Sequence, residues 1–134
     1  MADTVQFELV APEKLIFSDD VELVVVPGSE GDFAVLPGHA NLISTVRPGI
    51  IEIHENGQAQ ECYFVAGGYA EVTAERCTVL STEAIPVDAI DRGAAEKRLE
   101  AAELDLRDAD DDVARSRFEE AVGVARAMVE TASA

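Results

Sequence analysis

The sequence predicts a β + α architecture: an N-terminal antiparallel β-sandwich followed by a C-terminal antiparallel two-helix hairpin. Up to Pro86, short apolar runs with a two-residue period are separated by turns rich in glycine and proline, which is typical of an all-β sandwich or barrel. After Pro86 the apolar residues recur every three to four positions, as they do on one face of a helix. We therefore expect a β-sandwich domain at residues 1–86 and a helical hairpin domain at residues 87–134.

The alternation of apolar and polar residues, together with the turn residues, predicts where the strands lie. Asn56-Gly57 between two apolar runs is the strongest hairpin signal in the chain. Ser18–Asp20 is expected to form a bulge or kink between two strands, and Gly67-Gly68 a bulge within an apolar run. The predicted strands are Thr4–Val10, Leu15–Phe17, Val21–Val26, Phe33–Leu36, Asn41–Val46, Ile50–Glu55, Gln58–Ala66, Tyr69–Thr73 and Cys77–Ser81.

The helical period predicts one helix from Asp88 to Arg107 and a second one that ends near Glu130, with a polar break between them. Asp88 is expected to cap the first helix, and Asp91 to lie in its first turn, where a negative charge is favourable. The facing stripes are rich in alanine and bury little area, so we expect a weakly stable hairpin. These stripes are Ala95, Leu99, Ala102 and Leu106 in the first helix, and Phe118, Val122, Ala125 and Val129 in the second.

The net charge of −17, from 27 acidic and 10 basic side chains, limits the partners of the protein. Nucleic acid is a poor partner because binding to phosphates needs clustered Lys and Arg, and an anionic membrane surface is unfavourable for the same reason. Partners with cationic faces are favoured, although high acidity also serves solubility alone. The first residues lack the basic region of a signal peptide, and Cys62 and Cys77 are expected to be buried free thiols.

The stretch Val26–Asn41, VPGSEGDFAVLPGHAN, is the densest set of turn residues and is expected to form a shaped, exposed loop. It lacks the lysine of a phosphate-binding loop, and Glu30 and Asp32 would repel phosphate. No catalytic motif for a serine hydrolase, zinc protease or nucleotide-binding enzyme occurs, so we expect a non-enzymatic protein without a cofactor. A metal site from His39, His54 and a carboxylate is a weaker alternative.

Two motifs in the sequence resemble signatures of one known family, the epsilon subunits of F-type ATP synthases, which include the mitochondrial delta subunit. Residues 26–40 resemble its glycine-rich loop that ends in LPGHAP, and Phe64–Val72, FVAGGYAEV, resembles its Gly-Gly strand that ends in Glu-Val. Arg47-Pro48-Gly49 fits the turn between them. Two positions depart from the pattern, since Ala34 replaces a glycine and Asn41 a proline. The resemblance extends over essentially the whole chain.

The resemblance implies a non-catalytic subunit of the rotating central stalk, which couples proton flow through the c-subunit ring to ATP synthesis or hydrolysis. Its partners would be the gamma subunit, the c-ring and, through the tail, the catalytic alpha/beta hexamer, on the cytoplasmic side of a bacterial inner membrane. By resemblance, Glu30, Asp32 and His39 would face the polar loops of the c-ring, which carry basic residues. The alternative for His39 is a residue that stabilises its own turn.

The tail of many relatives inhibits ATP hydrolysis through basic residues, or binds ATP through an Ile/Leu-Asp-x-x-Arg-Ala motif. Here the acidic side chains in and just before the second helix outnumber its three arginines, and Ala94 stands at the arginine position of Ile90–Ala95. The arginines are Arg115, Arg117 and Arg126, and the acidic residues are Asp111, Asp112, Glu119, Glu120 and Glu130. We therefore expect weak or absent inhibition and no useful ATP binding. The alternative to a stalk subunit is a free acidic β-sandwich adaptor or ligand-binding protein, with the helical hairpin as its dimerisation element.

Overall fold

The computed structural model describes residues 4–12 and 14–133; the remaining positions of the two predicted domains lie outside the described residues. The chain divides after Pro86 into two compact units. The strands of the first unit are β1 Val5–Ala11, β2 Lys14–Val21, β3 Leu23–Gly28, β4 Gly31–Val35, β5 Leu42–Val46, β6 Gly49–Glu55, β7 Gln58–Val65, β8 Gly68–Val72, β9 Arg76–Leu80 and β10 Ala84–Pro86.

The strands form one hydrogen-bonded path in the order β10-β7-β6-β3-β5-β8-β9-β1-β2, with β4 paired to β3. A single residue pair, Gly28 with Val46, joins β3 to β5, so the path turns there from one layer to the other. Neighbouring strands are antiparallel except β1 and β9, which run parallel from Gln6–Arg76 to Val10–Leu80. The predicted sandwich is confirmed, with one parallel pair that the sequence did not indicate.

The hydrophobic core lies between the two layers. Phe17 of β2 contacts Phe7 of the same layer and Tyr63 of the opposite layer, with ring centroids 5.8 and 6.1 Å apart. Such aromatic contacts stabilise a core beyond the area that they bury. The core cluster draws on both layers and comprises Val5, Phe7, Leu9, Val21, Val24, Val26, Val35, Val46, Ile51, Ile53, Tyr63, Val65, Ala70, Val72, Cys77 and Val79.

One end of the sheet carries the turn at residues 29–30, and we call it the Glu30 end. Gly28 pairs with Val46, and Val46 pairs with Gly68. The end of β3, the end of β5 and the start of β8 therefore lie side by side. The turn at residues 29–30 and the connection that follows β5 meet at this end.

The opposite end carries the loop at residues 36–41, and we call it the His39 end. This loop connects the end of β4 to the start of β5. Leu42 pairs with Val72, so the loop lies next to the turn that joins β8 to β9.

Two local predictions in the sandwich are wrong, and one strand was not predicted. Ser18–Asp20 is a regular part of β2, and the irregularity lies at Ile16, which the register skips between Phe17 and Leu15. Gly67-Gly68 is not a bulge within one strand. Gly67 lies in the connection between β7 and β8, and Gly68 begins β8; three other strands separate β7 from β8 in the sheet. Finally, β10 was not predicted, because three residues are too few to show an alternation.

The helices of the second unit are α1 Arg92–Arg107 and α2 Asp112–Ser133, and they pack against each other. Their four-residue connection makes them a hairpin. The predicted cap was one turn too early: Val87–Ala89 forms a single 3₁₀ turn, and Asp91 caps α1 by accepting from the Ala94 N–H at 3.2 Å. The buried positions are Ala95, Ala102, Val122, Ala125, Met128 and Thr131, while Leu99, Leu106, Phe118 and Val129 of the predicted stripes are half-buried.

Neither described helix is long and apolar enough to cross a membrane.

Candidate interaction site

The β3–β4 hairpin carries the acidic residues singled out in the sequence. Its two-residue turn, Ser29-Glu30, is flanked by the pair Gly28–Gly31. A Cβ on Gly28 would lie 2.7 Å from the carbonyl oxygen of Gly31 and 2.9 Å from the Phe33 ring. Gly31 has φ +137°, a conformation that other residues rarely adopt. The glycines of this motif are therefore required by the backbone of the turn.

Backbone hydrogen bonds attach this hairpin to the end of β5. The Ser29 N–H donates to the Thr45 carbonyl at 3.0 Å, and the Arg47 N–H donates to the Pro27 carbonyl at 2.9 Å. The Ser29 and Thr45 hydroxyls lie 2.5 Å apart and form a further hydrogen bond. The turn is thus held on one side by a neighbouring strand, although β4 itself pairs only with β3.

The two carboxylates of the turn have different surroundings. Arg47 donates from Nη2 to Asp32 Oδ1 at 2.5 Å and from Nη1 to the Gly28 carbonyl at 2.6 Å. Glu30 is exposed at the tip, and no described residue pairs with its carboxylate. Asp32 is therefore neutralised within the molecule, whereas Glu30 presents an uncompensated negative charge.

His39 lies at the other end of the sheet in a loop held by hydrogen bonds. The Gly38 N–H donates to the Ala74 carbonyl at 2.8 Å, and the His39 N–H donates to the Leu36 carbonyl at 3.2 Å. The imidazole Nδ1 lies 2.6 Å from the Ala40 carbonyl; because a carbonyl can only accept, Nδ1 carries the proton. This bond favours the alternative in which His39 stabilises its own turn.

The structure brings together two of the three predicted contact residues. Glu30 and Asp32 lie at the Glu30 end, while His39 lies beyond the far end of β4. The length of β4 alone is about 13 Å at ~3.3 Å per residue. One flat partner surface against the Glu30 end would not reach His39.

Sequence reasoning missed an exposed apolar row on the outer face of the sandwich. Tyr69, Leu80 and Leu15 are 60, 53 and 57% exposed. The register aligns them across neighbouring strands: Thr45 pairs with Tyr69, Tyr69 with Leu80, Leu80 with Val10, and Val10 with Leu15. We call the row Thr45, Tyr69, Leu80, Val10 and Leu15 the apolar row.

A shallow cavity of about 410 Å³ opens beside the apolar row, lined by Val10, Ala11, Pro12, Gly68, Tyr69, Leu80, Ser81 and Thr82. The alternation of buried and exposed positions along these strands could have revealed the apolar row from the sequence. Tyr69 and Leu80 stand next to the buried Ala70 and Val79, so they had to point to solvent. Large apolar residues at solvent-facing positions of several adjacent strands indicate a contact surface.

The alternative metal site is not assembled. Across residues 4–12 and 14–133, no group of three or more His, Cys, Asp or Glu side chains is placed to hold a metal ion. His54 is half-buried, and its Nε2 lies 3.0 Å from Glu52 Oε1. Cys77 is buried, as predicted, whereas Cys62 is half-buried, and the two cysteines do not form a disulfide with each other.

The buried Cys77 thiol gives a testable pH dependence. Desolvation by burial raises the pKa of Cys77 from 9.0 to about 12. Between these values the unfolded chain loses the proton and the folded chain keeps it, so the free energy of unfolding should fall as the pH rises from about 9 to 12. We expect urea unfolding to show a shallower alkaline decline for Cys77→Ala than for Cys62→Ala, which retains Cys77. Equal declines for the two variants would contradict the attribution of this pH dependence to Cys77.

Comparison with known proteins gives the class. The family model described as the beta-sandwich domain of the ATP synthase delta/epsilon chain matches residues 4–87. An ATP synthase epsilon chain of Rhodospirillum rubrum is 47% identical over 129 residues, covering 96% of both chains. An ATP synthase epsilon chain of Paramagnetospirillum magneticum is 51% identical over 128 residues, with the same coverage. The chain belongs to the family of ATP synthase epsilon chains.

Solved structures agree with this assignment. A chain in the cryo-EM structure of the Euglena gracilis mitochondrial ATP synthase, described as OSCP/F1/c-ring, matches with a TM-score of 0.82 and 25% identity, over 100% of this chain and 84% of that one. A chain of the Tetrahymena thermophila central stalk and c-ring matches with a TM-score of 0.64 and 13% identity, over 96% of both. The second likeness concerns the fold alone.

Proposed function

We propose that the protein is a non-catalytic rotor subunit of the central stalk of a bacterial ATP synthase, which couples proton flow through the c-ring to catalysis in the alpha/beta hexamer. The observation that carries this proposal is the presence of two chemically different exposed surfaces on a chain of this family. The Glu30 end is charged and held rigid, and the outer face of β5, β8, β9, β1 and β2 carries the apolar row. A rotor subunit needs both a ring contact and a shaft contact.

The apolar row is proposed as the contact for the gamma subunit. Tyr69, Leu80 and Leu15 are large, exposed and aligned across neighbouring strands, and an apolar face of this kind suits a permanent complex. The Glu30 end suits the c-ring, because an exposed acid favours a cationic partner loop. Assembly into the complex would place the protein at the cytoplasmic side of the inner membrane.

Affinity purification of a tagged chain from its own cell membranes tests the proposal. We expect the gamma subunit and the c-ring to be recovered in stoichiometric amounts. Recovery of the chain alone, or as a dimer through its helices, would support the free acidic adaptor instead.

Features of the helical unit support a weakly inhibitory tail that does not bind ATP. The Asp91 carboxylate is occupied as the cap of α1, and Arg92 pairs with Glu96 at 3.0 Å. The position after Gly93 is an alanine, so the motif lacks its charged ligand. On α2, Glu119 and Glu120 are as exposed as the arginines around them. The described part of the helical unit therefore offers no strongly basic face to the hexamer.

Removing the helical unit should therefore change the ATP hydrolysis rate of the reconstituted complex by less than about twofold, since the unit offers few charge-assisted contacts. The matched variant is Glu119→Lys/Glu120→Lys in the full chain, which makes this part of α2 basic. Inhibition should appear with that variant and be relieved by deleting residues 87–134. A large rise in hydrolysis on deleting the unmodified tail would contradict the proposal.

A further inference from the structure

The outer edge of β2 is an open edge of the sheet. β2 lies at one end of the hydrogen-bonded path, and no described strand pairs with its outer side. With eight residues, β2 is long enough to pair with a strand of another chain. We propose that Asp19 closes this edge against a second copy of the protein, and that the edge becomes a dimer interface when Asp19 is lost. This property belongs to the free subunit and does not depend on the proposed function.

The register shows which backbone groups of β2 point away from β1. The Gln6 N–H donates to the Glu75 carbonyl at 3.0 Å, so Gln6 directs its backbone groups to the β9 side. In an antiparallel pair, the residue opposite such a position also directs its backbone groups away from the pair. Asp20 is opposite Gln6, and Ser18 follows the same two-residue period opposite Glu8. The N–H groups of Ser18 and Asp20 therefore face outward from the sheet.

Asp19 blocks one of these two donors. Its Oδ1 accepts from the Asp20 N–H at 2.8 Å. Its cross-strand neighbour Phe7 is fully buried, and paired side chains share a face of the sheet. Asp19 thus lies between Phe17 and Val21 on the core-facing side of β2, where the alternation would place an apolar residue. A charge that points inward on an edge strand opposes pairing with another strand, because pairing would remove the carboxylate from water.

The other half of the edge favours pairing. Leu15 is 57% exposed, and Ile16 and Phe17 are half-buried. An apolar run with a high strand propensity at an open edge is a segment through which chains associate. A two-fold axis beside β2 would pair this strand with itself in the antiparallel sense, and two-fold dimers are the commonest homo-oligomers. A second copy is therefore the partner against which the edge is protected.

Sedimentation of the full chain tests this role of Asp19. The natural chain should be monomeric at micromolar concentrations. Asp19→Val removes the charge, frees the Asp20 N–H and completes the apolar side of β2. The dissociation constant of its dimer should therefore be at least about tenfold lower than that of any dimer of the natural chain. Asp19→Ala should shift the equilibrium in the same direction, and it guards against misfolding of the valine variant.

Two matched variants separate the possible causes of association. Asp20→Thr removes an equal charge from the same edge but leaves the Asp19 carboxylate in place, so it should remain monomeric. This variant tests whether general repulsion between acidic chains is sufficient to keep the copies apart. Adding Ser18→Pro to Asp19→Val removes an outward N–H that β1 does not use. It should restore the monomer, since proline is tolerated at such positions of an edge strand.

Three results would overturn the proposal. Monomeric behaviour of both Asp19 variants would show that Asp19 does not protect the edge. Dimerisation of Asp20→Thr as strong as that of Asp19→Val would show that loss of negative charge alone explains the association. A dimer that persists when Ser18→Pro is added would place the interface on a different surface.

Discussion

Replacing Gly68 by alanine should lower the free energy of unfolding more than the same replacement at any other glycine of this chain. A Cβ at this position would lie 1.9 Å from the carbonyl oxygen of Leu80 and 2.9 Å from its carbonyl carbon. The backbone also has φ +126°, which is accessible essentially to glycine alone. Because the obstacle is the backbone of β9, relief requires β8 and β9 to separate.

We expect a loss of at least about 3 kcal/mol in the free energy of unfolding, a large part of the stability of an ordinary domain. Thermal unfolding should move down by roughly 12 °C or more. The matched variants are Gly57→Ala, with φ +79° and open space, and Gly123→Ala, in α2 with neither obstacle. The first should cost about 1 kcal/mol and the second should stabilise by up to about 1 kcal/mol. A Gly68→Ala loss no larger than that of Gly57→Ala would contradict the steric argument.

Polar substitution in the apolar row should abolish assembly while leaving the fold intact. Tyr69→Thr/Leu80→Thr removes two large exposed side chains and keeps residues that favour strands. If this row binds the gamma subunit, two central anchors are lost together, and we expect the dissociation constant to rise at least about 100-fold, or ~2.7 kcal/mol. The measurement is titration with the gamma subunit, followed by recovery of the complex from membranes.

The control for this experiment is Val113→Thr, which alters a valine that is 82% exposed in the other unit. It should bind normally, because it removes exposed apolar surface outside the row. Circular dichroism and melting temperature should be unchanged for both variants, since solvent-facing substitutions usually alter stability by less than about 0.5 kcal/mol. Normal assembly of the double variant would show that the gamma contact lies elsewhere.

Most strands could be predicted from the sequence because alternation reports directly which residues are buried. Phe7 and Leu9 in β1 are examples. The errors arose where the signal depends on distant parts of the chain. Nothing local to Gly67-Gly68 tells whether the chain continues in one strand or crosses to another part of the sheet. The cap of α1 was misplaced because Asp88 and Asp91 are chemically equivalent, and only the intervening 3₁₀ turn distinguishes them.

The candidate site was predictable to a smaller extent. The turn residues marked the β3–β4 hairpin, and its acidity was evident. The ion pair between Asp32 and Arg47 was not, because it depends on the register that places the end of β5 beside the end of β3. The same register separates Glu30 from His39, which are only nine positions apart in the sequence.

The parallel pairing of β1 with β9 has a consequence for the order of folding. Gln6 pairs with Arg76, which lies 70 positions later in the chain. β1 can therefore pair with β9 only after β9 has been synthesised. Ordering contacts of such sequence separation is slow, whereas the helical hairpin depends on neighbours in the sequence. During synthesis, β1 and β2 can form a hairpin early, but the sheet is completed only after β10, which ends at Pro86, has left the ribosome. We therefore expect the helical unit to reach its native state faster than the sandwich that precedes it.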